Sequence, residues 1–334
     1  MISFFIIVSL INLIFLFFFN SISKFYNQFD HPDFKRKLQK KPISLLGGFL
    51  VIANIFLIIF FDKFFFFILD YELFNNLLNF FIFLSLVLTF FLLGFFDDKF
   101  KISANKKLFL TILFLSILFY FDRTLLIKEL SFSFFSKKIF LGNYSYFFTI
   151  LCFLLFINAF NMLDGINGQA GTYGLFLLFI FLTKNILPLF VIGMIICLLI
   201  FLLLNFNNKT FLGDSGSLTL GFLFSYLFVK SYAANKFYAD EIFLIMCVPG
   251  FDLLRLAITR LYKKKHPFKA DSFHMHHLIL KKLKFFKTFI LIQTLLFSPY
   301  LIYKFFNNFL FAFLFVLFVY SLLIVKFNQK IIDE

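Results

Sequence analysis

The chain has no tryptophan, three cysteines, and only 17 acidic residues in a length of 334. Without tryptophan, aromatic anchoring at a membrane surface falls to tyrosine, with Tyr71, Tyr144, Tyr238 and Tyr300 near the ends of apolar runs. Cys152, Cys197 and Cys247 each stand alone inside such a run, with neither disulfide nor metal-ligand spacing. They read as free, buried thiols with no redox role. The 17 acids face 32 lysines and arginines, a formal net charge of +15, which suits anionic lipid headgroups and a phosphate-bearing substrate. No basic helix or aromatic-basic unit stands clear of the apolar runs, so nucleic acid is not an expected partner. Repeats at a fixed period and Pro/Ser-rich linkers are also missing, so residues 1–334 read as one transmembrane domain. The first run, Ile2 to Phe19, has no basic n-region and no small-residue cleavage site, and is expected to be a retained span rather than a signal peptide.

What the chain does have is apolar surface. Hydrophobic residues make up 62% of it and the mean hydropathy is +0.95, more than a soluble core of this size needs. The fold class expected is all-α and polytopic. The 66 phenylalanines accompany abundant Lys, Asn and Ile, as in a chain from an AT-rich genome, and carry no functional weight. Spans are expected near 2–19, 43–61, 77–96, 108–121, 146–163, 170–183, 186–204, 211–229, 239–258, 287–305 and 308–326, which gives 10–11 transmembrane helices. Several fall short of the ~20 residues a straight crossing takes. The loops at 20–42, 97–107, 205–210 and 259–287 together hold 20 Lys and Arg, and the opposite loops hold nine. The positive-inside rule then places the first set in the cytoplasm and the N-terminus outside.

Four polar groups interrupt this pattern. Span 3 ends in G-F-F-D-D-K with Asp97 and Asp98; span 5 ends in N-A-F-N-M-L-D-G-I-N-G with Asn158, Asn161, Asp164 and Asn167. Span 8 opens with F-L-G-D-S-G-S-L around Asp214, and the loop after span 9 holds D-S-F-H-M-H-H with Asp271, His274, His276 and His277. Each has an ordinary structural explanation. Asp97-Asp98 can be a solvated helix end, Gly213 to Gly216 a turn with an N-cap, and the histidines a surface cluster. Lys263 to Lys265 serve topology, and Pro249-Gly250 is a kink with Asp252 and Arg255 one turn later at a pocket edge. By span parity, however, all four groups reach the same cytoplasmic face. Polar groups at membrane depth are costly and usually functional. A secondary transporter would place them near the bilayer midplane on broken helices within a repeat, a pattern this chain does not show. The chemistry that fits jointly is metal-assisted phosphoryl transfer, with Mg²⁺ or Mn²⁺ favoured by carboxylate and amide oxygens. A zinc site on the three histidines is the competing reading.

These residues resemble the polyprenyl-phosphate N-acetylhexosamine-1-phosphate transferases. The likeness rests on five motifs in order: P-I-S-L-L-G-G at 42–48, G-F-F-D-D at 94–98, N-A-F-N-M-L-D-G-I-N-G at 158–168, F-L-G-D-S-G-S-L at 211–218 and H-M-H-H at 274–277. The resemblance implies an integral membrane enzyme of the bacterial inner membrane, able to form a homodimer. It would move a sugar 1-phosphate from a UDP-N-acetyl sugar to undecaprenyl phosphate and release UMP. It also implies Asp97 and Asp98 as an acidic pair, Asp214 as a Mg²⁺ ligand with Asn161 as a second, Asp164 as the central acid, and His274, His276 and His277 as phosphate-binding catalytic groups. Lys107, Asn158, Asn161, Asn167 and Phe211 would contact substrate, with Phe211 stacking on the uracil. H-M-H-H beside D-S-F looks like the WecA/WbpL branch, which initiates O-antigen and other surface polysaccharides. The peptidoglycan lipid-I branch, the alternative, carries three consecutive histidines. Four positions depart from the pattern: Asn167 for aspartate, Gln39 for histidine, Ser272 for arginine and Thr111 for glutamine.

Overall fold

The computed structural model describes residues 2–32, 39, 41–61, 77–264 and 273–328. Lys63, Tyr71, Lys265, Asp271 and Ser272 lie outside the described residues. Thirteen helices are present among the described residues: α1 (Ile2–Phe17), α2 (Phe19–Tyr26), α3 (Gly47–Phe61), α4 (Leu77–Phe100), α5 (Ala104–Phe121), α6 (Ser145–Leu163) and α7 (Gln169–Thr183). They continue with α8 (Pro188–Phe206), α9 (Gly213–Ala233), α10 (Ala239–Tyr262), α11 (Met275–Leu280), α12 (Phe285–Phe306) and α13 (Phe309–Asn328). Two short antiparallel ribbons complete the fold, β1 (Phe29–Asp30) with β2 (Ile43–Ser44) and β3 (Glu129–Phe132) with β4 (Phe135–Phe140). The chain is an all-α polytopic membrane protein.

Each of the eleven expected runs falls on a helix, and the differences have physical reasons. Among the described residues seven helices are long and apolar enough to cross a membrane, eight if α1 and α2, bent by 71°, count as one span. The bend comes where Asn20, Ser21, Ser23 and Lys24 replace the apolar run of α1. The second run starts four residues late, because Ile43 and Ser44 pair with β1 before α3 begins. The helices α3 and α7 have only 15 residues each. The ends of α9 carry charge, and it stays in the bundle because its whole length from Ser215 to Ser231 is buried in protein.

That helix is the axis of the fold. Helices α4, α6 and α3 pack along it, and α7 touches it more briefly. A Cβ on Gly94 would collide with the backbone of Asp214 and Ser215, so glycine lets α4 approach the start of α9 backbone to backbone. Phe90 and Phe222 stack at 4.6 Å one to two turns further along the same contact. Away from it, the buried amides of Asn12 on α1 and Asn54 on α3 exchange hydrogen bonds of 2.7 and 3.1 Å. Such pairs contribute about 1 kcal/mol in a membrane interior.

The end of the bundle opposite the motifs is tied by ion pairs. Lys230 at the end of α9 reaches Asp122 at 2.8 Å, both buried. Lys184 and Lys304 both bind Glu241, at 3.2 and 2.5 Å. Tyr232 accepts the Ser131 N–H, and Asp240 the Ser133 N–H, which pins the β3–β4 ribbon over this end. Lys138 of that ribbon pairs with Glu129. Four of the nine cations counted on this face are therefore in ion pairs, two of them sharing Glu241.

Candidate active site

The first turn of α9 is where the separate motifs meet. An α-helix starts with backbone N–H groups that have no partner within the helix, and here α4 supplies the acceptor. The carboxylate of Asp98 takes the N–H of Asp214 at 2.9 Å with one oxygen and the N–H of Ser215 at 3.0 Å with the other. Asp97, its neighbour in sequence, turns the other way. One of its oxygens accepts the Ile102 N–H at 2.8 Å and the other lies 2.6 Å from Lys107 Nζ on α5. Lys107 also lies 3.4 Å from the Asp214 carboxylate. The two adjacent acids thus do different things: Asp98 fixes the helix that carries Asp214, and Asp97 holds the lysine that neutralises it.

The end of α6 supplies the floor. Asn161 meets the hydroxyl of Ser217, one turn after Asp214, with its Oδ1 at 2.5 Å, and its side chain also bonds Asp214. Asp164 follows the last turn of α6. Desolvation raises its carboxyl to about 8, and the nearby carboxylates of Asp214 and Asp98 push the same way, against a bond from the Gly213 N–H. Asn167 gives its two N–H groups to the Asn205 carbonyl at 3.1 Å and to Asn208 Oδ1 at 2.7 Å. Asn158 bonds back to Leu154 in its own helix at 2.7 Å and does not line the cleft described below.

The three histidines separate in the same way. His274 Nδ1 lies 3.1 Å from Asp252 on α10. His276 is buried, with no hydrogen-bond partner for Nε2. Burial, and then the neighbouring His277 and His274, hold its ring well below the ordinary imidazole pKa. A Cβ on Gly165 would overlap this ring, so the glycine after Asp164 is the space in which the histidine segment docks against α6. His277 reaches the open cleft.

That cleft has a volume of about 470 Å³ and is lined by Asp98, Asn161, Asp164, Asn167, Phe211, Asp214 and His277, together with Asp30, Gln39, Asn205 and Asn208. Seven of the expected site residues share it. Asp97 and Lys107 stand behind Asp214, while His274 and His276 stand behind His277. Phe211 is fixed at the rim by its backbone, which donates to the Ser44 carbonyl at 2.9 Å and accepts from Gly47 at 3.0 Å. The P-I-S-L-L-G-G motif therefore acts through the backbone, as a brace for the Phe211 segment.

Among the described residues no three His, Cys, Asp or Glu side chains converge as a ligand set. This gives no support to zinc on the histidines, since structural and catalytic zinc sites take three or four protein ligands. The donors that do share the cleft are the oxygens of Asp98, Asn161, Asp164 and Asp214. They are hard ligands in mutual repulsion, a donor set that fits Mg²⁺ held by one or two carboxylates and completed by water and phosphate oxygens. Asp214 and Asn161 are the residues that would hold it.

Several residues in or beside the cleft are absent from the sequence expectation. Asn205 and Asn208 are foreshadowed by N-F-N-N, a polar break just before Phe211. Ser217 follows Asp214 by three residues and so shares its helix face. Asp30 gives no signal in a loop read only for its basic residues; it bonds Gln39 at 2.5 Å across the cleft mouth. At another departure from the motifs, the Thr111 hydroxyl caps the Lys107 carbonyl at 2.9 Å.

Comparison with known proteins agrees with this geometry. The profile of glycosyl transferase family 4 matches residues 80–232. The undecaprenyl-phosphate alpha-N-acetylglucosaminyl 1-phosphate transferase of Escherichia coli K12 is 30% identical over 283 residues, covering 80% of this chain and 73% of that protein. Its counterpart in Yersinia pestis is 27% identical over 289 residues, covering 83% and 76%. The Thermotoga maritima protein of the same name is 30% identical over 203 residues, covering 60% and 62%.

Proposed function

Because the chain belongs to glycosyl transferase family 4, we propose that it transfers an N-acetylhexosamine 1-phosphate from a UDP-sugar to undecaprenyl phosphate, releasing UMP. The observation that carries this reading is the meeting of Asp98, Asn161, Asp164, Phe211, Asp214 and His277, from four separate stretches of chain, in one cleft. The relatives described above are named for transfer of N-acetylglucosamine 1-phosphate, which favours this reaction over the lipid-I step of peptidoglycan. Their sugar, N-acetylglucosamine, is the first donor to test.

The residues divide the work by position. The rim phenylalanine, Phe211, offers a flat face to the uracil. The diphosphate lies over the first turn of α9, where the helix N-terminus favours negative charge. Asp214 and Asn161 would hold Mg²⁺, which supplies charge neutralisation for the diphosphate and polarises the phosphorus under attack. His277 meets a phosphate group from the α11 side. Lys107, held by Asp97, keeps the Asp214 carboxylate in place. Burial and the neighbouring carboxylates favour the protonated form of Asp164, which can then hold a proton at its carboxyl oxygen. Most of the catalysis would then come from orientation and fixed charge.

The lysine and arginine asymmetry supports a placement in the cytoplasmic membrane with the cleft facing the cytoplasm. The test is to incubate purified protein with undecaprenyl phosphate, Mg²⁺ and each of several UDP-N-acetylhexosamines, and to identify the lipid product by mass. A lipid diphosphate-sugar is expected. A product lacking the donor phosphate, or none from any donor with folded protein, would remove the reading.

A further inference from the structure

Asp252 lies three residues beyond Pro249 on α10, buried, and outside the cleft. Four donors converge on its carboxylate. Arg255 Nη2 is at 2.7 Å, the Tyr320 hydroxyl of α13 at 3.2 Å, the Met275 N–H at 3.2 Å and His274 Nδ1 at 3.1 Å. Arg255 in turn grips the Phe273 carbonyl at 2.7 Å and donates from Nε to Tyr320 at 3.1 Å. Asp252 therefore holds His274 and Met275, and Arg255 beside it holds Phe273.

A buried carboxylate is expensive unless its lone pairs are filled, and these are filled largely by the start of the histidine segment. The bond to Met275 satisfies a first-turn N–H of α11, a helix of only six residues that is too short to be stable by itself. The bond to His274 fixes that ring, which stacks on His276 at 5.5 Å with an interplanar angle of 8°. His276 lies 4.3 Å from His277, and His277 faces the cleft. The chain of contacts runs from Asp252 to His277, the histidine of this segment that faces the cleft.

We propose that Asp252 is the positioning residue of the histidine segment: by holding His274 and the first turn of α11, it sets where His277 stands in the cleft. This rests on the transferase reading for its catalytic consequence, but not for its structural one. Tyr320 helps to aim the Asp252 carboxylate and acts through it, while Arg255 also holds the Phe273 carbonyl directly.

The test combines a double-mutant cycle with hydrogen exchange. UMP release is measured for wild type, Asp252→Ala, His277→Ala and the double variant, all checked for monodisperse elution in detergent. Asp252→Ala is expected to lower kcat at least tenfold, and to change it less than twofold when His277 is already alanine. Asp252→Asn keeps an acceptor for the Met275 N–H and is expected to recover part of the loss; it replaces the alanine variant in the cycle if that variant does not fold. Independently of turnover, amide exchange across Met275–Leu280 should speed up severalfold in the Asp252 variant. Additive losses in the cycle, or unchanged exchange in that segment, would overturn the proposal. An inactive wild type with faster exchange in the variant would instead remove the transferase reading and leave the positioning role standing.

Discussion

Asp98 and Asp214 sit on different helices, yet the carboxylate of Asp98 accepts the backbone N–H of Asp214 at 2.9 Å. The acid of α4 is thus an N-cap for α9, supplied from outside the helix. Removing a cap costs about 0.5–2 kcal/mol, and here it also frees the turn that presents Asp214. Asp98→Ala should lower the unfolding midpoint in detergent by a few degrees and reduce turnover at least a hundredfold. Asp98→Asn, which keeps one acceptor oxygen, should recover much of the stability. Equal stability of wild type and Asp98→Ala would show that the cap is idle.

Lys107 stands between Asp97 and Asp214 at 2.6 and 3.4 Å. Lys107→Met would leave two carboxylates facing each other with no counter-charge. Turnover should fall at least tenfold, with part of the loss recovered at high Mg²⁺ because a cation can then screen the pair. Lys107→Arg should be the milder change. A loss in Lys107→Met that does not respond to Mg²⁺ would mean that the lysine contacts substrate rather than Asp214.

Asn167 gives both amide hydrogens to Asn205 and Asn208, so an aspartate there would point an oxygen at the Asn205 carbonyl. Asn167→Asp forfeits two hydrogen bonds of about 1 kcal/mol each and should lower kcat/KM severalfold rather than improve it. An increase in kcat/KM would show that a carboxylate is the better residue at this position.

His276 is buried with its pKa well below the usual imidazole value. Above about 6.5 the ring is neutral in both the folded and the unfolded chain. As pH falls below that value the unfolded chain takes up a proton that the folded one refuses, so stability drops. The unfolding midpoint should therefore decline from pH 7 to pH 5 more steeply in wild type than in His276→Gln. Parallel declines in the two proteins would place the acid sensitivity elsewhere.

The long helices were legible because hydrocarbon demands apolar runs, and each of the eleven runs is a helix. The short elements were not, because their stability comes from distant partners. Helix α11 depends on Asp252, and the β3–β4 ribbon on Tyr232 and Asp240, none of which is near them in sequence. The Ser/Phe alternation at 131–135 was the one local hint of the ribbon. In the site, residue types were readable and roles were not. Asp97 and Asp98 look equivalent in sequence, but neighbours on a helix point about 100° apart, since a turn takes 3.6 residues, and one meets α5 while the other meets α9. The histidines diverge for the same reason, and only His277 reaches the cleft.

The most direct measurement of the central claim is UMP release with and without undecaprenyl phosphate and Mg²⁺, for wild type and for Asp214→Asn. If the cleft works as described, wild type releases UMP only when both lipid and Mg²⁺ are present, and Asp214→Asn, still folded, releases less than one hundredth as much. UMP release that persists in Asp214→Asn, or that proceeds unchanged without the lipid, would contradict it.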